Sequence, residues 1–500
     1  FLLQNLFPLA SSPRGFSRSY CQSLKEKTAK GLFWGGISNT IQQLLNLFFG
    51  IFLARILNAG DYGMVGVLAI FPAIANSLQE SGFTAALTNK HDADDKDYNA
   101  VFWFSTLMGA GMYLLLFTAA PLIAAFYETP ALTPLARFLF LGFFISSTGI
   151  VHNAILFRNL MVKEKAKIDI SALILSGAVS VIMAINGMAY WGIAAQSVIY
   201  ITVVTLLRWY FSPWRPSFHI DLSPLKGMFA FSSKLLLTNI LNQINANLFS
   251  VLLGKFFTKP EVGYYTQSNK WMMMGHLIIA SSVNTIAQPT FAQLANDRER
   301  QVRVFLKLLN FIAFISFPAM LGLAFISREF ITITIGTKWL PSVPILQLLC
   351  IVGAVWPITN LYSQFAISKG ASNIFLWVNS IFGIMQLIVA LCIISFGIWW
   401  LVFANVMGYL VLLAIWQCII KRQIGIPHMQ AAKAIMAYVF PTLLSFTIAH
   451  YATCMISNLY LLMTAKILIT AVCYIVIMKF CHSEILNECT AFVTKQLKKK

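Results

Sequence analysis

Charge is what this sequence has least of. Only 11% of its 500 residues are Asp, Glu, Lys or Arg, and just 17 are acidic. A soluble domain carries about 25% charged residues, so that class is excluded. Cysteine is scarce as well. Seven of the eight (Cys350, Cys392, Cys418, Cys454, Cys473, Cys481 and Cys489) lie beyond residue 349, and no pair has C-x-x-C spacing. That excludes a zinc site or a disulfide framework, and the cysteines read as small packing hydrophobes. There is no P-loop, no dinucleotide-binding glycine fingerprint and no nucleophile triad, so neither a cofactor nor a metal is expected. The acids Asp92, Asp94, Asp95 and Asp97 form a D-x-D string. With no nucleotide-binding domain around it, the string reads as a solvated loop.

What is present is hydrocarbon. The chain is 58% hydrophobic with a mean hydropathy of +0.74, and the apolar residues come in runs of about the 20 needed to span a bilayer. The runs predict helices near 30–54, 61–88, 99–126, 131–157, 168–186 and 190–211. A second series falls near 226–256, 261–293, 304–326, 341–368, 373–396 and 398–420, and two more near 432–455 and 459–480. The expected fold is therefore all-α and polytopic, with about 14 spans. A poorly ordered leader is expected over 1–24, because its Arg residues follow the apolar stretch instead of preceding it as in a signal peptide. Six-helix bundles are expected over 25–215 and 216–425, two further spans over 426–483, and a basic tail over 484–500.

The net charge of +19 could suggest nucleic acid, but the basic residues are spread over short loops. With the N-terminus placed in the cytoplasm, most of the 36 Lys and Arg fall on the cytoplasmic side, as the positive-inside rule requires. Only Arg55, Arg137, Lys255, Lys259, Arg328 and Lys338 fall in outward segments. Both termini are then cytoplasmic, and nucleic acid is not an expected partner.

The chain also repeats itself. Leu53, Arg55, Asp61 and Gly63 are answered 200 residues later by Leu253, Lys255, Glu261 and Gly263. The same offset relates Asn39 to Asn239, Gln42 to Asn242 and Gln43 to Gln243, while an offset of 211 relates Pro130 to Pro341 and Arg158 to Lys369. Copies of six helices start on the same side of the membrane. Transporters built this way place substrate at the repeat interface.

Polar residues in spans are costly and mark cavities or partners. Asn39, Gln42, Gln43 and Asn46 recur at i, i+3, i+4 and i+7, one face of a helix. Asn239, Asn242 and Gln243 repeat that stripe. Amides both donate and accept hydrogen bonds, which suits sugar hydroxyls, although Asn and Gln also join helices to one another. Lys234 and Lys270 lie inside the seventh and eighth spans, where a lysine facing a cavity would meet a phosphate or pyrophosphate as a point charge. For Lys234 and Lys466, snorkelling to the interface is the competing explanation. Glu80 is the acid placed well inside the first hairpin, as an ion-coupling group or the partner of a neighbouring lysine.

The first hairpin, KGLFWGGISNTIQQLLNLFFGIFLARILNAGDYGMVGVLAIF, together with FYETPALTPLARFL and WPITNLYSQF, resembles the polysaccharide transporter branch of the multidrug/oligosaccharidyl-lipid/polysaccharide flippase superfamily. The resemblance covers about residues 25 to 480. It implies two helical bundles, alternating access, and a cargo of undecaprenyl-diphosphate-linked glycan moved from the cytoplasmic to the outer leaflet of a bacterial inner membrane. It further implies a cavity between helices 1–2 and 7–8, with membrane lipids as neighbours and contact with glycan polymerase machinery left open. A drug/cation antiporter of the same superfamily fits less well, since such proteins have an acid in the first helix and this helix has none. A peptidoglycan-precursor flippase shares the expected span number. A membrane glycan polymerase would need a large outward loop, and the longest here, near 327–340, is too short.

Overall fold

Asn58 and Thr258 show how this sequence starts its helices. Asp61 N donates to Asn58 Oδ1 (3.0 Å) and Asn58 N donates back to Asp61 Oδ2 (3.1 Å), a reciprocal cap that satisfies two orphan amide donors. One repeat later, the Thr258 amide and hydroxyl both donate to Glu261 Oε2, at 2.9 and 2.7 Å. The acids conserved across the internal repeat are thus helix-starting groups.

The computed structural model describes residues 18–80, 82–90, 93–218, 220–293, 297–369 and 371–497. Among them every regular element is helical. In chain order they are α1 (Arg18–Ile56), α2 (Ala59–Gly66), α3 (Ile70–Glu80), α4 (Gly82–Asn89), α5 (Asp95–Phe126), α6 (Leu132–Ser147), α7 (Ile150–Arg158), α8 (Val162–Ile185), α9 (Tyr190–Phe211) and α10 (Leu225–Phe256). Then follow α11 (Lys259–Gln293), α12 (Arg298–Phe325), α13 (Ser327–Thr334), a 3₁₀ turn (Thr337–Trp339), α14 (Ser342–Ser368), α15 (Ser372–Ile393), α16 (Ile398–Ile424), α17 (His428–Thr453), α18 (Leu459–Phe480) and α19 (Glu484–Leu497). The leader expected over 1–24 lies outside the described residues as far as residue 17, and α1 runs from Arg18.

This is a multi-pass membrane protein. Among the described residues 10 helices are long and apolar enough to span a bilayer, and up to 12 if each of two bent pairs counts as one. The second span expected from the sequence is bent by 49° between α2 and α3, and the fourth by 46° between α6 and α7. The expected seventh and eighth spans are α10 and α11, continuous helices of 32 and 35 residues.

The chain divides into two compact units. The first comprises residues 1–53 and 68–247, the second 54–67 and 248–500, so α10 contributes to both. In the first unit α8 packs on α9, α5 on α6, and α6 on α9 and α3. Ser105 Oγ donates to the Ser147 carbonyl at 3.2 Å, joining α5 to α6 through small residues, as helix interfaces in membranes favour. At one end Lys90 Nζ lies 2.6 Å from Asp97, whose own amide is capped by Asp94. Asp94, Asp95 and Asp97 of the D-x-D string therefore start α5 and do not form a free loop; Asp92 lies outside the described residues. Backbone donation from Asp97 holds the Asp94 carboxyl below its ordinary value.

The second unit is built around α14, which packs against α11, α12 and α16. Trp339, Tyr362 and Phe365 on and beside it are fully buried. Ser268 Oγ on α11 donates to the Ser342 carbonyl (2.9 Å), and Ser316 Oγ on α12 to the Ala354 carbonyl (2.8 Å). The two C-terminal spans, α17 and α18, pack on each other, on α12 and on α13.

Candidate functional site

The amide stripe of α1 belongs to the first unit. Asn39 is exposed, and Gln42, Gln43 and Asn46 are half-buried. Gln42 Nε2 donates to Ser38 Oγ at 2.9 Å, one turn back. No hydrogen bond within the described residues engages Asn39, Gln43 or Asn46. Polar groups without partners in an apolar helix are costly, so these three are the part of the stripe with hydrogen-bonding capacity to spare.

The second stripe, on α10, is differently placed. Gln243 Nε2 donates to Ser77 Oγ of α3 at 3.1 Å, and the Gln243 carbonyl accepts from Asn247 Nδ2 at 2.9 Å. Gln243 thus joins two helices within the first unit, while Asn239 is half-buried. The side chains of Lys234, Asn242 and Glu80 lie outside the described residues. Lys270 sits half-buried on α11 in the second unit, and no partner within the described residues neutralises it. On the same helix Gln267 and Trp271 are buried, with the Gln267 amide and Trp271 Nε1 unpartnered among the described residues. An uncompensated ammonium beside unfilled donors and acceptors is a group equipped to receive an anion.

Three features escape sequence reasoning because they join residues far apart in the chain. Lys466 makes an ion pair with Glu329. Arg55 bonds to the end of α13, and Lys338, in the turn that follows α13, bonds to the end of α1. Two histidines lie flat on tryptophans, His152 on Trp209 and His276 on Trp356, with ring centroids 4.5 Å apart in both pairs. Only the second had a sequence signal, the recurrence of basic residues at helix ends.

This arrangement of helices defines the class. It superposes on a lipid II flippase MurJ in an inward closed conformation with a TM-score of 0.74, at 16% identity, covering 90% of this chain and 99% of that one. It superposes on an inward-facing multidrug resistance MATE transporter with a TM-score of 0.62, covering 77% and 94%. The fold is that of the multidrug/oligosaccharidyl-lipid/polysaccharide flippase superfamily. Within it, residues 52–344 match the family described as polysaccharide biosynthesis protein, and the chain belongs to that family. Relatives include the teichuronic acid biosynthesis protein TuaB of Bacillus subtilis, 27% identical over 71% of this chain and 74% of its own length. The lipopolysaccharide biosynthesis protein WzxC of Escherichia coli is 27% identical over 70% and 72%. The succinoglycan biosynthesis transport protein ExoT of Rhizobium meliloti is 22% identical over 78% and 76%.

Proposed function

We propose that this protein is a flippase that carries undecaprenyl-diphosphate-linked oligosaccharide from the inner to the outer leaflet of the cytoplasmic membrane, for surface polysaccharide assembly. The observation that carries the reading is the set of unpartnered amides on α1, in a chain of the polysaccharide biosynthesis family that also carries an unneutralised Lys270. Relatives named for teichuronic acid, lipopolysaccharide and succinoglycan share a glycan end product, which supports a glycan-bearing cargo over a drug.

The physical task is to move sugar hydroxyls and an anionic diphosphate across hydrocarbon, where each unpaired polar group costs several kcal/mol. In this reading Asn39, Gln42, Gln43 and Asn46, with Asn239 and Asn242, replace water around the glycan, while Gln243 holds α10 to α3 through Ser77. Lys270 and Lys234 meet the diphosphate, and the isoprenoid tail stays in the bilayer. Alternating access then exposes the headgroup to the opposite side. An inside-negative potential favours outward movement of anionic charge by about 2.3 kcal/mol per charge per 100 mV. Glu80 is the proposed ion-coupling group. The basic loops support cytoplasmic termini. Glycan polymerase machinery is the proposed acceptor of the product.

The test is a deletion strain. Loss of surface polysaccharide with lipid-linked precursor held on the cytoplasmic side, both reversed by this gene, supports the reading. Unchanged polysaccharide with new sensitivity to cationic drugs replaces it with an antiporter.

A further inference from the structure

The segment Ala54–Val67 belongs to the second unit, although the residues on either side of it, up to Leu53 and from Leu68, belong to the first. What holds it there is specific. Arg55 Nε and Nη2 donate to the Thr334 and Ile333 carbonyls at 2.7 and 2.6 Å, capping the C-terminal end of α13. In return, Lys338 Nζ donates to the Arg55 and Leu57 carbonyls at 2.8 and 2.5 Å, capping the end of α1. Trp339, fully buried beside Lys338, donates Nε1 to the Ala54 carbonyl at 2.8 Å. The Tyr62 ring stands edge-on to Trp339 with centroids 5.3 Å apart.

Below these caps α2 crosses α11 at two glycines related by the internal repeat. A Cβ on Gly63 would strike the Lys259 carbonyl, and a Cβ on Gly263 would strike the Ala59 carbonyl. Positions 59 and 63 thus exchange contacts with 263 and 259, a reciprocal crossing made by equivalent positions of the two copies. Only residues without a side chain allow backbones this close.

The chemistry of this attachment differs from that of the buried ion pair in the second unit. Its charged members, Arg55 and Lys338, are exposed and bond to carbonyls at helix ends, which carry orphan acceptors and partial negative charge. Water can take over each of those bonds when the contact parts, leaving no buried charge behind. The Glu329–Lys466 pair, by contrast, is buried and would leave charge in hydrocarbon.

We propose that Arg55 and Lys338 are positioning residues of a reversible outward latch, which holds Ala54–Val67 on the second unit and must release it before cargo can leave. The inference rests on the flippase reading and its orientation, which put this end outside. In the latched state the Gly63–Gly263 crossing is closed. In the release state Arg55 and Lys338 exchange carbonyls for water and the crossing parts.

The test replaces the eight natural cysteines and installs Thr266→Cys, whose native hydroxyl is buried against Gly66 at the crossing. Labelling by a membrane-impermeant thiol reagent is then followed from outside intact cells. The latch predicts slow labelling in that background and labelling about fivefold faster once Arg55→Ala and Lys338→Ala remove the caps. Gly263→Val should label equally fast, and Arg55→Lys should return it toward slow. Membrane abundance should stay unchanged throughout. Fast labelling of the background, or unchanged labelling in both the cap and the Gly263→Val variants at normal abundance, overturns the latch. Surface polysaccharide measured in the same strains separates the two readings. Faster labelling in a chain that never restores polysaccharide sinks the cargo and keeps the latch, whereas restored polysaccharide with labelling insensitive to every variant does the reverse.

Discussion

Lys466 Nζ lies 2.7 Å from Glu329 Oε1, with the two side chains only 11% and 7% exposed. The ammonium also sits 4.8 Å from the Phe325 ring centroid. Lys466 does not reach for the interface. It anchors α18 to the first turn of α13, and Glu329 Oε2 accepts no hydrogen bond among the described residues. A buried pair of this kind is held by its mutual attraction against a large desolvation cost.

Removing one member of that pair leaves the other charged and buried. Lys466→Met or Glu329→Leu alone should lower stability by about 3–5 kcal/mol, whereas the double replacement recovers most of the loss. Unfolding in detergent, followed for the two single variants and the double variant, checks this. A double variant as unstable as the sum of the singles would mean that the residues act independently.

The α2–α11 crossing has no room for a side chain. Gly63→Val should cost about 1–3 kcal/mol through overpacking and weaken the tie between α2 and the second unit. Gly111, which has open space around it, is the control: Gly111→Val should leave stability within about 0.5 kcal/mol of the parent. Thermal denaturation of the purified protein reads both.

Lys270 and the α1 amides should affect transport and leave folding intact. Lys270→Ala is expected to reduce glycan export about tenfold at normal membrane abundance, with Lys270→Arg keeping much of the activity as a cation. Asn46→Leu should reduce export and leave insertion unharmed. Gln243→Leu should act otherwise, because it leaves Ser77 without its partner and costs about 0.6 kcal/mol of stability. Export assays with quantified membrane protein separate the two behaviours. Full export by Lys270→Ala would remove it from the cargo site.

The start of α5 gives a pH prediction. The Asp94 carboxyl is held low mainly by donation from the Asp97 backbone amide, with Lys90 adding to the effect. A group whose folded value is depressed contributes stability above its unfolded value, and loses it as the pH falls through the folded one. The first turn of α5 should therefore stay capped at neutral pH and fray only below the ordinary carboxylate value of 3.8. Hydrogen exchange at the amides of Lys96 and Asp97 should show this, with Asp94→Asn insensitive to pH because Asn also caps.

The two amide stripes show how much of the candidate site was legible. Periodicity alone put Asn39, Gln42, Gln43 and Asn46 on one face, because helical spacing is a local property. It could not tell Gln43, which has no partner in the described residues, from Gln243, which is bonded to Ser77. That difference depends on which helix packs alongside. Lys466 misleads for the same reason: its partner Glu329 is 137 residues away, and no pattern within α18 points to it.

The sequence by itself determined that the chain is helical, lies in a membrane and carries a repeated hairpin with equivalent acids and glycines. Each of these follows from local hydropathy or from comparing the chain with itself, and hydrocarbon permits few backbone conformations other than the helix. Only the tertiary structure decided that Ala54–Val67 is held by the second unit, that Arg55 caps the end of α13 and Lys338 the end of α1, and that Gly63 and Gly263 form one crossing. Those outcomes depend on carbonyls and glycines brought together from distant parts of the chain, and a backbone carbonyl leaves no mark in the sequence to say which side chain will find it.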